Sequence, residues 1–204
     1  MIAGIDSAVF RFFNDYFRNI FLDVLLPFFS ERWAIWLGLG ILFVLYAIYC
    51  QKRHGESFWR VLVLAIMLGL CVGATDTACN AIKHVSDKAR PYQAEEGCHY
   101  FQESTGTWMV IGTPNAPEPG SGRSMPSSHA ANSMAVALVL AIVLRRTNPW
   151  IFSVPLVVGW SRVYLGRHYP IDVLAGWFVG IVSVCMTLWL LNLFFRKLGR
   201  KAKQ

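Results

Sequence analysis

VLAGWFVGIVSVCMTLWLLNLFF, Val173–Phe195, runs for 23 residues without a charged side chain. A helix of about 20 mostly apolar residues crosses a hydrocarbon core of about 30 Å, and this stretch meets that length. A second run, WAIWLGLGILFVLYAIYC at Trp33–Cys50, continues for 18 residues. Three shorter uncharged runs, Val61–Thr75, Ala130–Leu144 and Thr147–Ser161, reach a spanning length only with their polar flanks. Alone they would read as buried helices of a soluble domain; beside two clear spans they read as membrane helices. The spans are therefore placed at 32–51, 58–83, 127–145, 148–165 and 171–195.

Of the 204 residues, 55% are hydrophobic and 15% charged, whereas soluble domains carry about 25% charge. A soluble surface needs polar cover, so the shortage of charge points to lipid surroundings. A disordered chain is excluded, because it would be poor in hydrophobic residues and rich in charge. Five scattered cysteines exclude a disulfide scaffold. The expected fold is all-α, a polytopic transmembrane helical bundle in a single domain, 1–204. The segment 7–29 is expected as one amphipathic helix. Arg11, Asn14, Asp15 and Arg18 fall on one stripe, with Phe10, Phe13, Phe17, Phe21 and Leu22 around the rest. Charges are costly in hydrocarbon, so this helix is read as lying in the interface above five spans. A sixth span packed on the others is the alternative. Met1–Ser7 has no basic start and carries Asp6, so no signal peptide is expected.

Short connections make neighbouring helices antiparallel, and one long polar loop, 91–125, separates the second and third spans. Chain parity places Lys52, Arg53, Arg60, Arg145, Arg146, Arg196, Lys197, Arg200, Lys201 and Lys203 on the face opposite that loop. These are ten of the 19 Lys and Arg, with Glu56 as acidic companion. The loop carries Glu95, Glu96, Glu103 and Glu118 against Arg123. The positive-inside rule then puts the basic face in the cytoplasm and the loop outside. Topology accounts for the net charge of +7, and no basic soluble face remains for nucleic acid.

The other cations gather. Lys83 and Arg90 lie where the second span leaves outward, and His129 opens the third after Pro126-Ser127-Ser128. Arg162, Arg167, His168 and Asp172 sit between the fourth and fifth spans. Helix parity brings all three groups to one face. Fixed cations, two imidazoles and a carboxylate suit a phosphate group: guanidinium and ammonium neutralise phosphoryl oxygens, while imidazole attacks phosphorus or carries a proton. Pro170 suits the first turn of the last helix. His168 and Asp172, four apart, meet if the turn between them is helical. The bland alternative, Arg and His snorkelling at the headgroups, explains single residues better than a complete convergent set.

Lys83-x6-Arg90-Pro91, Pro126-Ser127-Ser128-His129 and Ser161-Arg162-x5-His168-x3-Asp172 together resemble the three-part signature of the type 2 phosphatidic-acid phosphatase family. Vanadium haloperoxidases and bacterial acid phosphatases share that signature. The resemblance covers Lys83 to Asp172, and the flanking helices suit the membrane members. Ser128 departs from the pattern, which often has Gly there. The resemblance implies that His168 attacks phosphorus to form a phosphohistidine while Asp172 fixes its tautomer. It implies that His129 protonates the departing oxygen and then activates water. Lys83, Arg90, Arg162, Ser127 and Ser128 would hold the phosphoryl oxygens, aided by the N-terminus of the third span. Neither a metal nor a cofactor is implied.

Within the family the chain is most similar to the bacterial undecaprenyl-diphosphate phosphatases. This implies a lipid diphosphate hydrolysed at the outer face of the inner (cytoplasmic) membrane. Phosphatidylglycerophosphate, phosphatidic acid and lipid A are the alternative substrates. The expected partners are the lipid phosphate and the bilayer, without nucleic acid or a protein partner. An anion transporter would use similar cations, but transporters favour internal repeats and midplane sites. A catalytically dead lipid-binding module would lack a motif residue, and none is missing.

Weaker expectations attach to other residues. Asp76, Asn80 and Lys83 share one helix face, so Asp76 either orients Lys83 or Arg90 or makes a helix-packing hydrogen bond. Lys88 and Arg167 reach a second phosphate or lipid headgroups. Cys98 alone lies in the outer loop, where pairing with Cys79 is open. Trp36, Trp108, Trp150, Trp160 and Tyr169 suit interfacial belts.

Overall fold

The computed structural model describes residues 2–54, 58–113, 123–144 and 149–201. Glu56, Glu118, Arg145, Arg146 and Lys203, which enter the orientation argument, lie outside the described residues. The chain begins with α1 (Ile2–Arg11), which runs into a π turn (Phe12–Tyr16), then α2 (Ile20–Phe28), α3 (Arg32–His54) and α4 (Phe58–Ser86). A short α5 (Pro91–Ala94) and the strands β1 (His99–Gln102) and β2 (Thr107–Val110) follow. Then come α6 (Ser128–Leu144), a 3-10 turn (Pro149–Phe152), α7 (Ser153–Tyr164) and α8 (Pro170–Lys201). Among the described residues, the stretches Phe58–Ala94 and Pro170–Gly199 are long and apolar enough to cross a membrane. α7 has 12 residues, about 18 Å of helix at the usual rise. It is shorter than the expected 148–165 because 149–152 winds as a 3-10 turn.

The centre is the seam of α4, α6 and α8. Leu64, Leu68 and Cys71 of α4 pack on Ala135, Val139 and Leu140 of α6 and on Val184 of α8. α8 lies parallel to α6 and meets it through Gly176 and Gly180, one turn apart. A Cβ on Gly176 would stand 2.5 Å from the Ser127 carbonyl oxygen, and one on Gly180 would strike that of Ala131. Small residues on both helices allow this backbone approach. The Ser127 N–H then donates to the Asp172 carbonyl at 2.9 Å, so the starts of α6 and α8 are tied together. Away from the seam, Ile41, Val44 and Ile48 of α3 and Phe178, Val182 and Trp189 of α8 are exposed. Such outward apolar faces suit a hydrocarbon solvent.

Two segments correct the sequence reading. The expected single helix over 7–29 is divided near Phe17–Asn19. Asn14 is fully buried, so its side chain serves the backbone of other elements rather than a polar outer face. Its Nδ2 donates to the His99 and Tyr164 carbonyls at 2.8 Å each, and its Oδ1 accepts the His99 N–H at 2.9 Å. Asn19 is extended and caps α2 by accepting the Leu22 N–H at 2.9 Å.

The loop 91–125 is read from the sequence only as one long polar connection within a helical bundle. It contains α5 and an antiparallel hairpin, with His99 opposite Val110 and Gln102 opposite Thr107. Gly106, at φ +67, closes its turn. The Phe101 and Trp108 rings, 5.2 Å apart across the strands, give the hairpin its apolar pair.

Candidate active site

The end of the bundle where α6 and α8 begin also holds the final turns of α4 and α7. α7 stops at Gly166, whose φ of +72 suits a left-handed helix ending. A side chain there would also meet the His99 carbonyl of the hairpin. The chain folds back so that the N–H groups of Arg167 and His168 donate to the Arg162 carbonyl at 3.1 and 3.2 Å. This turn sets His168 beside the first turn of α8. There the Asp172 carboxylate reaches back to accept the Tyr169 N–H at 2.9 Å, the acidic half of a capping box.

His168 and Asp172 are both buried. His168 Nδ1 faces Asp172 Oδ2 at 3.8 Å, longer than a hydrogen bond, so the carboxylate charge acts on the ring without a direct bond. Oδ2 already accepts the Ser124 hydroxyl at 2.6 Å besides the Tyr169 N–H, and Oδ1 accepts the Lys88 ammonium at 2.8 Å. Burial pushes the His168 imidazole down to about 3; the nearby Arg162 and Arg90 charges add to this, while Asp172 opposes it. The ring is therefore neutral near pH 7 and keeps a nucleophilic lone pair.

The cations surround this pair. Lys83 Nζ, at the end of α4, donates to Ser128 Oγ at 2.7 Å, so the Ser128 hydroxyl has a partner. Arg162 is 2% exposed. Its Nη1 donates to Glu103 Oε1 at 3.0 Å. Arg167 pairs with the other oxygen of Glu103 at 3.5 Å and lies over the Tyr100 ring at 5.1 Å. Arg90 begins α5, where its N–H donates to Gln93 Oε1 at 3.0 Å. Its charge acts on both Arg162 and His168. His129, in the first turn of α6, lies within electrostatic reach of Arg162, His168 and Lys83. Ser127 Oγ, Arg162 Nε, Arg167 Nε and His168 Nδ1 are buried without a hydrogen-bond partner. Buried polar atoms are rarely left so, and their gathering marks an anion-handling site.

The signature residues thus converge, with additions. Asp76 accepts from Asn132 Nδ2 at 3.4 Å, and its charge also acts on Lys83, which itself donates to Ser128. Lys88 holds two carboxylates rather than standing open to a second phosphate. Ser124, on Asp172, and Glu103, on both arginines, were not singled out from the sequence. Serine before the second motif was a weak signal, and a lone glutamate in an acidic loop was none. Cys98 is buried and free, as is Cys79. Burial pushes the Cys98 thiol up to about 12, the nearby Asp15 and Glu95 charges adding to this. Among the described residues, no group of three or more His, Cys, Asp or Glu is arranged to hold a metal.

Cations, a neutral imidazole and a helix N-terminus gathered at one end of an apolar bundle define a membrane enzyme that handles an anionic group. Residues 60–196 match the PAP2 superfamily, and the chain belongs to it; the protein is a phosphatase. It is 28% identical over 185 residues to a lipid A 4'-phosphatase of Bacteroides thetaiotaomicron, covering 88% of this chain and 73% of that one. It is 26% identical over 184 residues to an undecaprenyl-diphosphatase of Sulfolobus acidocaldarius, covering 87% and 74%. Its fold is similar to the crystal structure of Aquifex aeolicus LpxE, with a TM-score of 0.60 and 22% identity over 90% of this chain and 94% of that one. A PAP2-type phosphatidylglycerolphosphate phosphatase from Bacillus subtilis has a TM-score of 0.59 at 18% identity, covering 94% of this chain and 86% of its own.

Proposed function

We propose that the chain hydrolyses a lipid diphosphate at the outer face of the cytoplasmic membrane, with undecaprenyl diphosphate converted to the monophosphate. The observation that carries this reading is the buried, neutral His168 facing Asp172 among Lys83, Arg90 and Arg162. His168 Nδ1 is turned to Asp172, which leaves Nε2 to attack the terminal phosphorus. A phosphorus–nitrogen bond forms and the phosphorus–oxygen bond to the lipid monophosphate breaks; His129, able to hold a proton once the substrate's negative charge offsets the cations around it, gives the departing oxygen that proton. Water then attacks the phosphohistidine and loses its proton to His129; orthophosphate leaves and His168 is restored. Lys83, Arg90, Arg162 and the Ser127–His129 turn balance charge on the phosphoryl oxygens through both steps. The cations perform that neutralisation without a metal.

The bundle crosses the membrane five times, the 3-10 turn and α7 together making the fourth crossing, with α1 and α2 at the outer interface. α2 has nine residues, about 14 Å of helix, too short to cross. The undecaprenyl-diphosphatase among the relatives supports the diphosphate substrate. The lipid A 4'-phosphatase supports a second reading, lipid A. Phosphate release by the purified protein from undecaprenyl diphosphate, lipid A, phosphatidylglycerophosphate and phosphatidic acid tests both. Highest kcat/KM on undecaprenyl diphosphate is expected, and a preference for any other substrate overturns that assignment. His168→Ala should lower turnover by at least about 10³-fold; wild-type turnover in that variant would overturn the mechanism.

A further inference from the structure

We propose that Lys88 is a positioning residue that braces Asp172, and that Asp6 of α1 completes the brace, making the N-terminal helix part of the catalytic apparatus. The proposal rests on the roles given above to His168 and Asp172. Lys88 lies inside the Lys83-x6-Arg90 spacing, at a position that motif leaves open. Its Nζ donates to Asp172 Oδ1 at 2.8 Å and to Asp6 Oδ2 at 3.0 Å, and sits 4.5 Å from the centre of the Tyr169 ring. The other oxygen of Asp6 accepts the Ile171 N–H at 2.9 Å, so Asp6 also holds the first turn of α8.

The Asp172 side chain is 0% exposed. A buried carboxylate is tolerated only when charge and hydrogen bonds replace its lost water. Ser124 and Tyr169 supply two neutral donors on Oδ2, and Lys88 supplies the charge on Oδ1. Three donors on two oxygens set the plane of the carboxylate, and with it the 3.8 Å approach of Oδ2 to His168. One ammonium between two carboxylates leaves the trio with net charge −1. That surplus is available to the positive charge that builds on His168 when it attacks phosphorus. Asp6 thereby keeps Lys88 from neutralising Asp172 outright. α1 is anchored to the same end at two further points. Ser7 and Arg11 donate to Glu95, which also accepts from the Tyr169 hydroxyl.

Steady-state kinetics of the full-length protein in detergent, with the lipid substrate it turns over fastest, separates positioning from phosphate binding. Lys88→Met should lower kcat by about 10- to 100-fold with KM changed less than about twofold, the pattern of a lost transition-state contribution. Lys88→Arg should recover most of that loss, because it keeps the charge between the carboxylates. Asp6→Asn should lower kcat by about two- to fivefold and add little to Lys88→Met, as coupled neighbours do. Wild-type kcat in Lys88→Met, or a raised KM with unchanged kcat, would overturn the proposal, the latter result making Lys88 a phosphate ligand. If Lys88→Met does not accumulate as folded protein, Asp6→Asn decides: reduced kcat at unchanged KM supports the brace, and unchanged kcat sinks it. His168→Ala run alongside keeps the two levels apart. Activity in that variant removes the mechanism itself, whereas an inactive His168→Ala with a fully active Lys88→Met removes only the brace.

Discussion

The α4–α6–α8 seam and the cap formed by α1, α5 and the β1–β2 hairpin both border the site, yet they are held by different forces. The seam is apolar contact at close range, with Gly176 and Gly180 of α8 against the backbone at Ser127 and Ala131. The cap adds a dense set of polar bonds to its own apolar cluster of Phe10, Cys98, Tyr169 and Val173. Asn14 serves His99 and Tyr164, Asp6 serves Lys88 and Ile171, Glu95 serves Ser7, Arg11 and Tyr169, and Glu103 serves Arg162 and Arg167. The difference matches the surroundings. Hydrocarbon offers apolar helices no hydrophobic drive toward one another, so close packing must hold them. At the headgroup level water competes for polar groups, so only shielded and well-aimed bonds contribute. The proposed catalytic groups lie on the line between the two regions. The seam brings the starts of α6 and α8 together, and the cap orients the side chains that project from them.

That contrast can be broken first at the seam. Gly180→Leu should destabilise the protein by about 3 kcal/mol or prevent its accumulation, because the side chain has no room and the helices must part. Thermal unfolding in detergent measures this, and a wild-type midpoint would mean that the close approach is not required. Acid is the next lever. Native His168 stays neutral down to about 3, whereas an unfolded imidazole takes a proton near 6.5. The unfolded state therefore binds more protons in this window, so stability should be full above about pH 6.5 and fall as pH drops toward 3. Glu95 acts in the same direction. Burial alone would raise its pKa, but hydrogen bonds from Ser7, Arg11 and Tyr169 outweigh this and hold it low. His168→Asn should flatten part of the acid slope of the unfolding midpoint; an unaltered slope would assign it elsewhere.

In the cap, Asn14→Ala should cost about 2 kcal/mol by leaving buried backbone groups at His99 and Tyr164 unpaired. Activity should fall less than in Lys88→Met, since Asn14 acts at a distance from Asp172. A larger loss of activity than of stability would show that the whole hairpin position is tuned for catalysis. The smallest effect is expected at Glu103, whose carboxylate lies on Arg162 and Arg167. Glu103→Gln should tighten competitive inhibition by orthophosphate about threefold, since a partly exposed competing charge is worth little. Weaker inhibition would instead make Glu103 the group that orients Arg162.

The gathering of the candidate site residues at one end was legible because each of its parts is local. Lys83 and Arg90, Ser127 to His129, and Arg162 to Asp172 sit at short spacings on helix ends, and helix parity sends all of them to one face. The long apolar runs likewise located α3, α4 and α6 to within three residues at each end, while α8 continues six residues past its expected end. The hairpin was harder to see. HYFQ and TWMV are four residues each, too short for alternation to stand out in a polar stretch. The division of segment 7–29 was not visible, because a buried Asn and an exposed Asn look alike in a helical pattern.

By itself, the sequence determined that the chain belongs in a membrane, which end of the helices carries the cations, and which residue types are offered there for an anionic group. Those follow from hydrophobic length, helix period and the chemistry of single side chains. Only the tertiary structure decided who restrains whom. It bonds Asp6 to Lys88, Lys88 to Asp172, Asn14 to Tyr164 and Glu103 to Arg162. These partners lie 59 to 150 residues apart, and no local periodicity links them. Long-range polar pairing depends on where packing leaves a buried charge in need of a partner, and that is a property of the assembled bundle.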